Sequence, residues 1–311
     1  PFMPSETMRP LVIWRLADDK PGHEKQTLGL AHAILRKREG DCVTLRVPSR
    51  ISSLMHWIMG RFPEGAQLPN PDLILAAGHA THFALLAARR ARGGRAVVLM
   101  KPSLPLFLFD QCVIPEHDAP SIQPNVLPVR GALNDVVSRA EKQPGQGLIL
   151  IGGISANFGW DDQAIRQAVV AIARAMPEVA WRLTTSRRTP ASFLASFSDR
   201  PANLALLSHT DTGPGWLEQA LTESGQVWVT EDSVSMLYEA LTAGAAVGLL
   251  RLPEARDSRV RRGVERLIAD GWVTPYERWQ PGNTLVAVTG MFNEAERAAD
   301  WILDKLSRER A

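Results

Sequence analysis

The chain has 311 residues, with 35 basic against 33 acidic side chains and a formal net charge of +2. A balance so near neutrality excludes the broad positive field of a general nucleic-acid binder, although clustered arginines still set local fields. The length favours two cores over one, and the two distant cysteines, Cys42 and Cys112, read as buried free thiols in a reducing compartment. No apolar run reaches the length of a membrane span, and Pro1 to Pro10 lacks the apolar core of a secretory signal, so the expected location is the cytoplasm.

In chain order, the first strand-like runs are Leu11 to Leu16, Cys42 to Val47, Leu73 to Ala77, Ala96 to Met100 and Gln111 to Ile114. A helix is predicted over Glu24 to Arg38, between the first two. The segment Ile51 to Phe62 is amphipathic, with Arg50 and Arg61 at its ends. It reads either as core or domain-interface packing or as a basic-flanked helix in peripheral contact with a membrane. Glu141-Lys-Gln-Pro-Gly-Gln-Gly147 breaks the pattern and reads as the linker between a first domain, 1–142, and a second, 147–288. The second half restarts with Leu148 to Ile151, the helix Asp161 to Met176, and strands at Ala180 to Thr184, Leu204 to Leu207, Val227 to Thr230 and Val247 to Leu250. The last segment, 289–311, carries a helix from about Met291 to Arg310. With Phe292, Ala295, Ala298, Ala299, Ile302, Leu303 and Leu306 on one side, it is expected to pack back on the first domain. The alternation predicts an α/β protein of two doubly wound parallel sheets facing a cleft, with ligands at the carboxyl ends of the strands.

Four segments carry chemistry. After the first strand, Leu16 to Gln26 places Lys20, Gly22 and His23 on a Pro-Gly bend, and His23 has the pKa range of a general base. Gly152 and Gly153 allow close backbone approach to a ligand, with Ser155 and Asn157 as added donors. The spacing is not Gly-x-Gly-x-x-Gly, which disfavours NAD, and no Gly-Lys-Ser/Thr follows to make a P-loop. Thr184 to Pro190 gathers Ser186, Arg187, Arg188 and Thr189, a set suited to phosphate or carboxylate. Val227 to Leu250 reads as strand, turn, helix and strand, with Asp232 or Ser233 as cap, Gly244 as stop and Glu239 two turns into the helix as a ribose acceptor. The three turns of the second half would converge on a nucleoside monophosphate or diphosphate sugar. In the first half, His79, His82, Lys101 and Ser103 follow two more strands as acceptor or sugar contacts. Two histidines three apart suit a metal only with a carboxylate to complete the set, and none is placed to do so.

Asp19-Lys-Pro-Gly-His23 with Gln26 and Leu28-Gly-Leu30, Gly78-His79, Lys101-Pro-Ser103, Gly152-Gly153, Thr185 to Pro190 and Glu231-Asp-Ser-Val-Ser-Met236 resemble the bacterial proteins related to the plant mitochondrial-fission factor. That family is labelled as glycosyltransferases or nucleoside-diphosphate-sugar epimerases, and the resemblance covers nearly the whole chain. It implies a GT-B architecture, similar to the transferase that adds N-acetylglucosamine to the peptidoglycan lipid precursor. The C-terminal domain would then hold the nucleotide sugar and the N-terminal domain the acceptor. By position, Ser186, Arg187, Ser233, Ser235 and Met236 would meet phosphate or nucleotide, with Glu231 and Asp232 in the same turn and Glu239 on the ribose. His23, or a nearby Asp18 or Asp19, would be the base. The implied activity is a metal-independent, inverting transfer to a cell-envelope glycan or glycolipid, with the nucleotide sugar as substrate and no cofactor, in the cytoplasm or at the inner membrane. An epimerase, or a non-catalytic adaptor like the plant relative, is the alternative. The single Gly22 departs from the multi-glycine run of such transferases and leaves the acceptor and the base open.

Overall fold

The computed structural model describes residues 9–138, 141–253, 257–288 and 290–308. The chain divides into two compact units, Pro1–Asp135 with Glu294–Ala311, and Val136–Asn293.

The first unit is built on β1 (Leu11–Ala17), α1 (Pro21–Lys37), β2 (Gly40–Arg46), α2 (Arg50–Met59), β3 (Leu73–Ala77), α3 (His82–Arg92), β4 (Arg95–Leu99), β5 (Gln111–Pro115) and β6 (Val126–Val129). Its six strands run parallel in the order β2-β1-β3-β4-β5-β6. β3 and β5 are buried at every position, as strands covered on both faces must be, so they read as unbroken apolar runs rather than alternations. β6 is invisible to strand patterning because Pro128 interrupts it; the sheet tolerates the proline because β6 is an edge strand.

Two boundaries differ from the sequence expectation. α1 starts at Pro21 rather than Glu24, because Pro fits the first helical position, where its missing N–H costs nothing. His23 therefore stands in the first turn of a helix and not on a free loop. The segment read as a linker enters β7 (Gln143–Leu150) at Gln143, and the division between units falls earlier, at Asp135. Its Pro144 and Gly145 lie where the register with the neighbouring strand shifts between Ser224 and Gln226, an irregularity that absorbs residues unsuited to a regular ladder.

From β7 the second unit continues through α4 (Asp162–Ala175), β8 (Ala180–Thr184), α5 (Ala191–Ala195), β9 (Leu204–Leu207), α6 (Trp216–Glu223), β10 (Ser224–Thr230), α7 (Val234–Thr242), β11 (Ala246–Leu250), α8 (Arg259–Ala269) and β12 (Thr274–Pro275). The order β12-β11-β10-β7-β8-β9 is again all parallel. Both units are Rossmann-like, and together they make an α/β fold of GT-B type. In each sheet the strand order reverses direction beside the first strand, between β1 and β3 and between β7 and β10. Such reversals open a crevice at the carboxyl ends of the strands.

The last helix, α9 (Glu294–Arg308), belongs to the first unit; Glu309 and Arg310, included in the predicted helix, lie outside the described residues. Ala298, Ala299 and Ile302 pack with Leu30, Ile34 and Leu11 on one face of the sheet. Glu296 pairs with Arg36 and Lys37 of α1, each at 2.8 Å, and Asp300 pairs with Lys37 at 2.9 Å. The other face is covered by α3, with Trp14, Ile74 and Leu85 in its core. Cys112 is buried and Cys42 half-buried, and both thiols are free; burial pushes the Cys112 thiol up to about 12. Ile302 is fully buried, so Ile302→Ala is expected to destabilise the first unit by about 2–5 kcal/mol in urea unfolding. Loss of less than 1 kcal/mol would show that α9 does not complete this core.

Candidate functional site

In the second unit, the turns after β7, β8 and β10 are adjacent because these strands are neighbours in the sheet. Hydrogen bonds join them. The Gly152 N–H donates to Thr230 Oγ1 at 2.7 Å and the Gly153 N–H to Asp232 Oδ2 at 2.8 Å. The Ser186 hydroxyl donates to the Gly152 carbonyl at 2.8 Å, and the Thr189 hydroxyl donates to the same oxygen. Glycine is required at the crossing: a Cβ on Gly152 would stand 2.2 Å from Asp232 Oδ2, and one on Gly153 2.1 Å from the Arg188 carbonyl.

Asp232 is the centre of this junction. Its side chain is fully buried, and Arg188 Nη1 meets Oδ2 at 2.8 Å. The same guanidinium donates to the Gly153 and Ile154 carbonyls, each at 3.2 Å. Three sequence expectations change here. Asp232 does not cap α7, because its carboxylate turns to Gly153 and Arg188. Both arginines are exposed, but Arg188 is tied down, which leaves Arg187 as the one with no ion pair or hydrogen bond among the described residues. Ser186 and Thr189, expected as ligand hydroxyls, close the loop onto Gly152 instead.

Ser233 holds the N-cap position of the nine-residue α7 without a side-chain cap. The first N–H groups of the helix, on Val234, Ser235 and Met236, therefore remain open at the positive end of its dipole. Ser235 is exposed, and Met236 lies half-buried against the core. Glu239 is only 3% exposed. Buried Glu231 accepts from the Leu252 N–H at 2.5 Å and forms an ion pair with Arg251 Nε at 2.9 Å, so it braces β10 to the end of β11. Burial pushes its carboxyl up, opposed by the Leu252 N–H and Arg251. Ser155 accepts from the Phe158 N–H at 3.3 Å, and Asn157 is half-buried beside it. Thr230 and Arg251 were missed in the sequence; each is the polar residue at the end of an apolar strand, which is the signal that marks them.

In the first unit, the ends of β1 and β3 meet at His23. Its Nδ1 lies 2.8 Å from Asp18 Oδ2, and the Asp18 side chain is 3% exposed. A carboxylate in that position accepts from Nδ1–H and leaves Nε2 as the basic nitrogen. Gly78, at φ +86°, packs directly on the imidazole: a Cβ there would stand 2.3 Å from His23 Cε1. Of the two aspartates, it is Asp18 that touches His23; Asp19, at φ +60°, pairs with Arg46 at 3.0 Å. Arg15, below the turn, donates to the Glu24 carbonyl at 3.0 Å and to Thr44 Oγ1 at 2.9 Å, which fixes the first turn of α1. Lys20 and Gly22 are exposed on the same turn, and nothing lies within 4 Å of a Cβ built on Gly22.

The remaining candidates separate. His79 is exposed, while His82 is buried, 5.5 Å from it between ring centroids and packed on Phe109. Ser103 Oγ lies 3.3 Å from His82 Nδ1, and Lys101 Nζ donates to the Asp118 carbonyl at 3.1 Å. His82 is thus a core residue and is not presented to a ligand. No group of three or more His, Cys, Asp or Glu among the described residues could hold a metal ion.

Arg188→Ala leaves the buried Asp232 carboxylate without its cation and is expected to cost about 2–3 kcal/mol in unfolding experiments. Arg187→Ala should stay within about 0.5 kcal/mol of the parent. Equal losses would contradict the division of roles. Burial, with repulsion from His79 and Arg50, lowers the His82 pKa from 6.5 to about 4. A depressed histidine favours the fold while neutral, so stability should be full above pH 6.5 and fall as the pH drops from 6.5 towards 4. His82→Phe should flatten that limb of a Tm-against-pH curve; an unchanged limb would place the titration elsewhere.

Comparison with known proteins agrees with this architecture. MurG of Acinetobacter baumannii superposes with a TM-score of 0.55 at 15% identity, over 95% of this chain and 100% of that one. A candidate UDP-N-acetylglucosamine 2-epimerase of Listeria monocytogenes gives 0.53 at 13% identity, over 95% and 88%. An uncharacterized protein of Rickettsia prowazekii, RP120, is 20% identical over 315 aligned residues, 82% of this chain and 88% of that one. Over residues 21–306 the chain matches the mitochondrial fission ELM1 family, and it belongs to that family.

Proposed function

We propose that this chain is a GT-B glycosyltransferase whose second unit holds a nucleotide-sugar donor. The observation that carries the reading is the uncapped N-terminus of α7, on the turn after β10, together with an exposed Arg187 on the turn after β8 that has no partner among the described residues; the Arg188–Asp232 pair ties these two turns together. Open N–H groups, a helix dipole and a free guanidinium form an anion site of the kind a diphosphate needs. Arg187 and the helix N-terminus would neutralise the departing phosphate, so the reaction requires no metal. The acceptor would be a hydroxyl of a cell-envelope glycan or glycolipid, met in the cytoplasm at the inner membrane.

His23 is the proposed base. With Nδ1–H held by Asp18, Nε2 takes the proton of the acceptor hydroxyl; the oxygen then bonds to the anomeric carbon as the carbon–phosphate oxygen bond breaks, and the nucleotide leaves with that electron pair. One displacement inverts the configuration. The fold likeness to a candidate epimerase favours one rival, in which the sugar of the nucleotide is altered with no acceptor present.

The test is nucleotide release from a panel of nucleotide sugars, with and without glycan and glycolipid acceptors. Release that needs an acceptor is expected, with His23→Ala lowering turnover by about 10²–10⁴-fold and Asp18→Asn shifting the pH profile while retaining donor binding. Sugar conversion without an acceptor would select the epimerase, and undiminished turnover in His23→Ala would remove the proposed base.

A further inference from the structure

We propose that α2 is an interfacial helix that docks the first unit on an anionic lipid surface. The helix packs one side on the unit: Ser53 is buried, and Trp57 stacks on Phe83 with ring centroids 5.9 Å apart. The other side has no cover among the described residues. Ile51, Met55, Ile58 and Met59 are 78%, 47%, 58% and 49% exposed. At 3.6 residues per turn these four fall within an arc of about 100°, which makes a continuous apolar stripe about 12 Å long on a ten-residue helix. A soluble surface rarely leaves such a stripe open unless it serves an interaction.

The surrounding charge identifies the occupant. α2 contains no acidic residue. Arg50 at its start and Arg61 just beyond its end are exposed and make no ion pair among the described residues. Arg90 of α3 is likewise exposed and unpaired, and its Nε lies 3.3 Å from a Cβ built on Gly60, the residue that ends α2. Glu64, which follows α2, faces His56 at 3.7 Å. An apolar stripe ringed by unpaired arginines matches acyl chains below anionic headgroups. It does not suit a second copy of the chain, because a twofold pairing of α2 would bring Arg50 and Arg61 of the two copies together with no carboxylate between them. No described helix is long and apolar enough to cross a membrane, so the contact lies in the plane of the interface.

The test is sedimentation of the full chain with vesicles, either phosphatidylcholine alone or phosphatidylcholine and phosphatidylglycerol in equal parts. Binding is expected only with phosphatidylglycerol and should weaken as salt rises. Replacing Ile51 and Ile58 together by Ser should lower the partition constant at least tenfold, and Arg50→Gln and Arg61→Gln about fivefold each. These side chains are exposed, so an unchanged Tm certifies the fold of each variant. Equal binding by the Ser double variant would overturn the proposal, as would the absence of binding to either vesicle. So would a concentration-dependent dimer that the same variant abolishes, since that assigns the stripe to self-association. None of these readouts uses a nucleotide or an acceptor, so the outcome stands apart from that of the proposed transfer.

Discussion

The second unit depends on one buried carboxylate. Asp232 sits at the end of β10, where the sheet reverses direction, and binds both the Gly153 N–H and the Arg188 guanidinium. A buried charge is costly unless paired and hydrogen-bonded, and these two partners come from the turns after β7 and β8. Pairing Asp232 Oδ2 with both therefore holds three loops in one arrangement. It also explains the glycines, since neither Gly152 nor Gly153 leaves room for a side chain at the crossing. With Asp232 turned to these partners, the N-terminus of α7 has no side-chain cap, and Arg187 has no ion pair or hydrogen bond among the described residues.

A similar economy appears in the first unit. Asp18 is buried against His23, so the imidazole is held in one orientation, with Nδ1 turned to the carboxylate. Gly78 closes the other side of the ring, and Arg15 fixes the helical turn that carries it. In the proposed transfer, preorganisation of this kind would remove the ordering cost from the reacting complex.

Much of this was legible in the sequence, and the parts that were not have physical causes. Leu73–Ala77 coincides with β3 because a strand buried on both faces leaves an uninterrupted apolar signature; Ala180–Thr184 and Leu204–Leu207 coincide with β8 and β9, although β9 is an edge strand and mostly half-buried or exposed. β6 and the first half of β7 carry proline or glycine and could not be read as strands; an edge position and a register shift accommodate them. Among the site residues, types and loops were readable but partners were not. Arg187 and Arg188 are indistinguishable as neighbours in sequence, and only the fold shows that one is tied to Asp232. Likewise, Asp18 and Asp19 differ in role because Asp19 takes a left-handed backbone and turns to Arg46. His82 looked like His79 until burial separated them.

The most direct test of the donor site is isothermal titration of the full chain with a panel of nucleotides and nucleotide sugars, carried out in parallel on Arg187→Ala. One nucleotide family should bind at a single site, with affinity falling at least tenfold in the variant, as expected when a charge-assisted phosphate contact of about 1.5–3 kcal/mol is removed. Absence of binding across the panel, or binding that Arg187→Ala leaves unchanged, would contradict the assignment of the α7 terminus as a phosphate site.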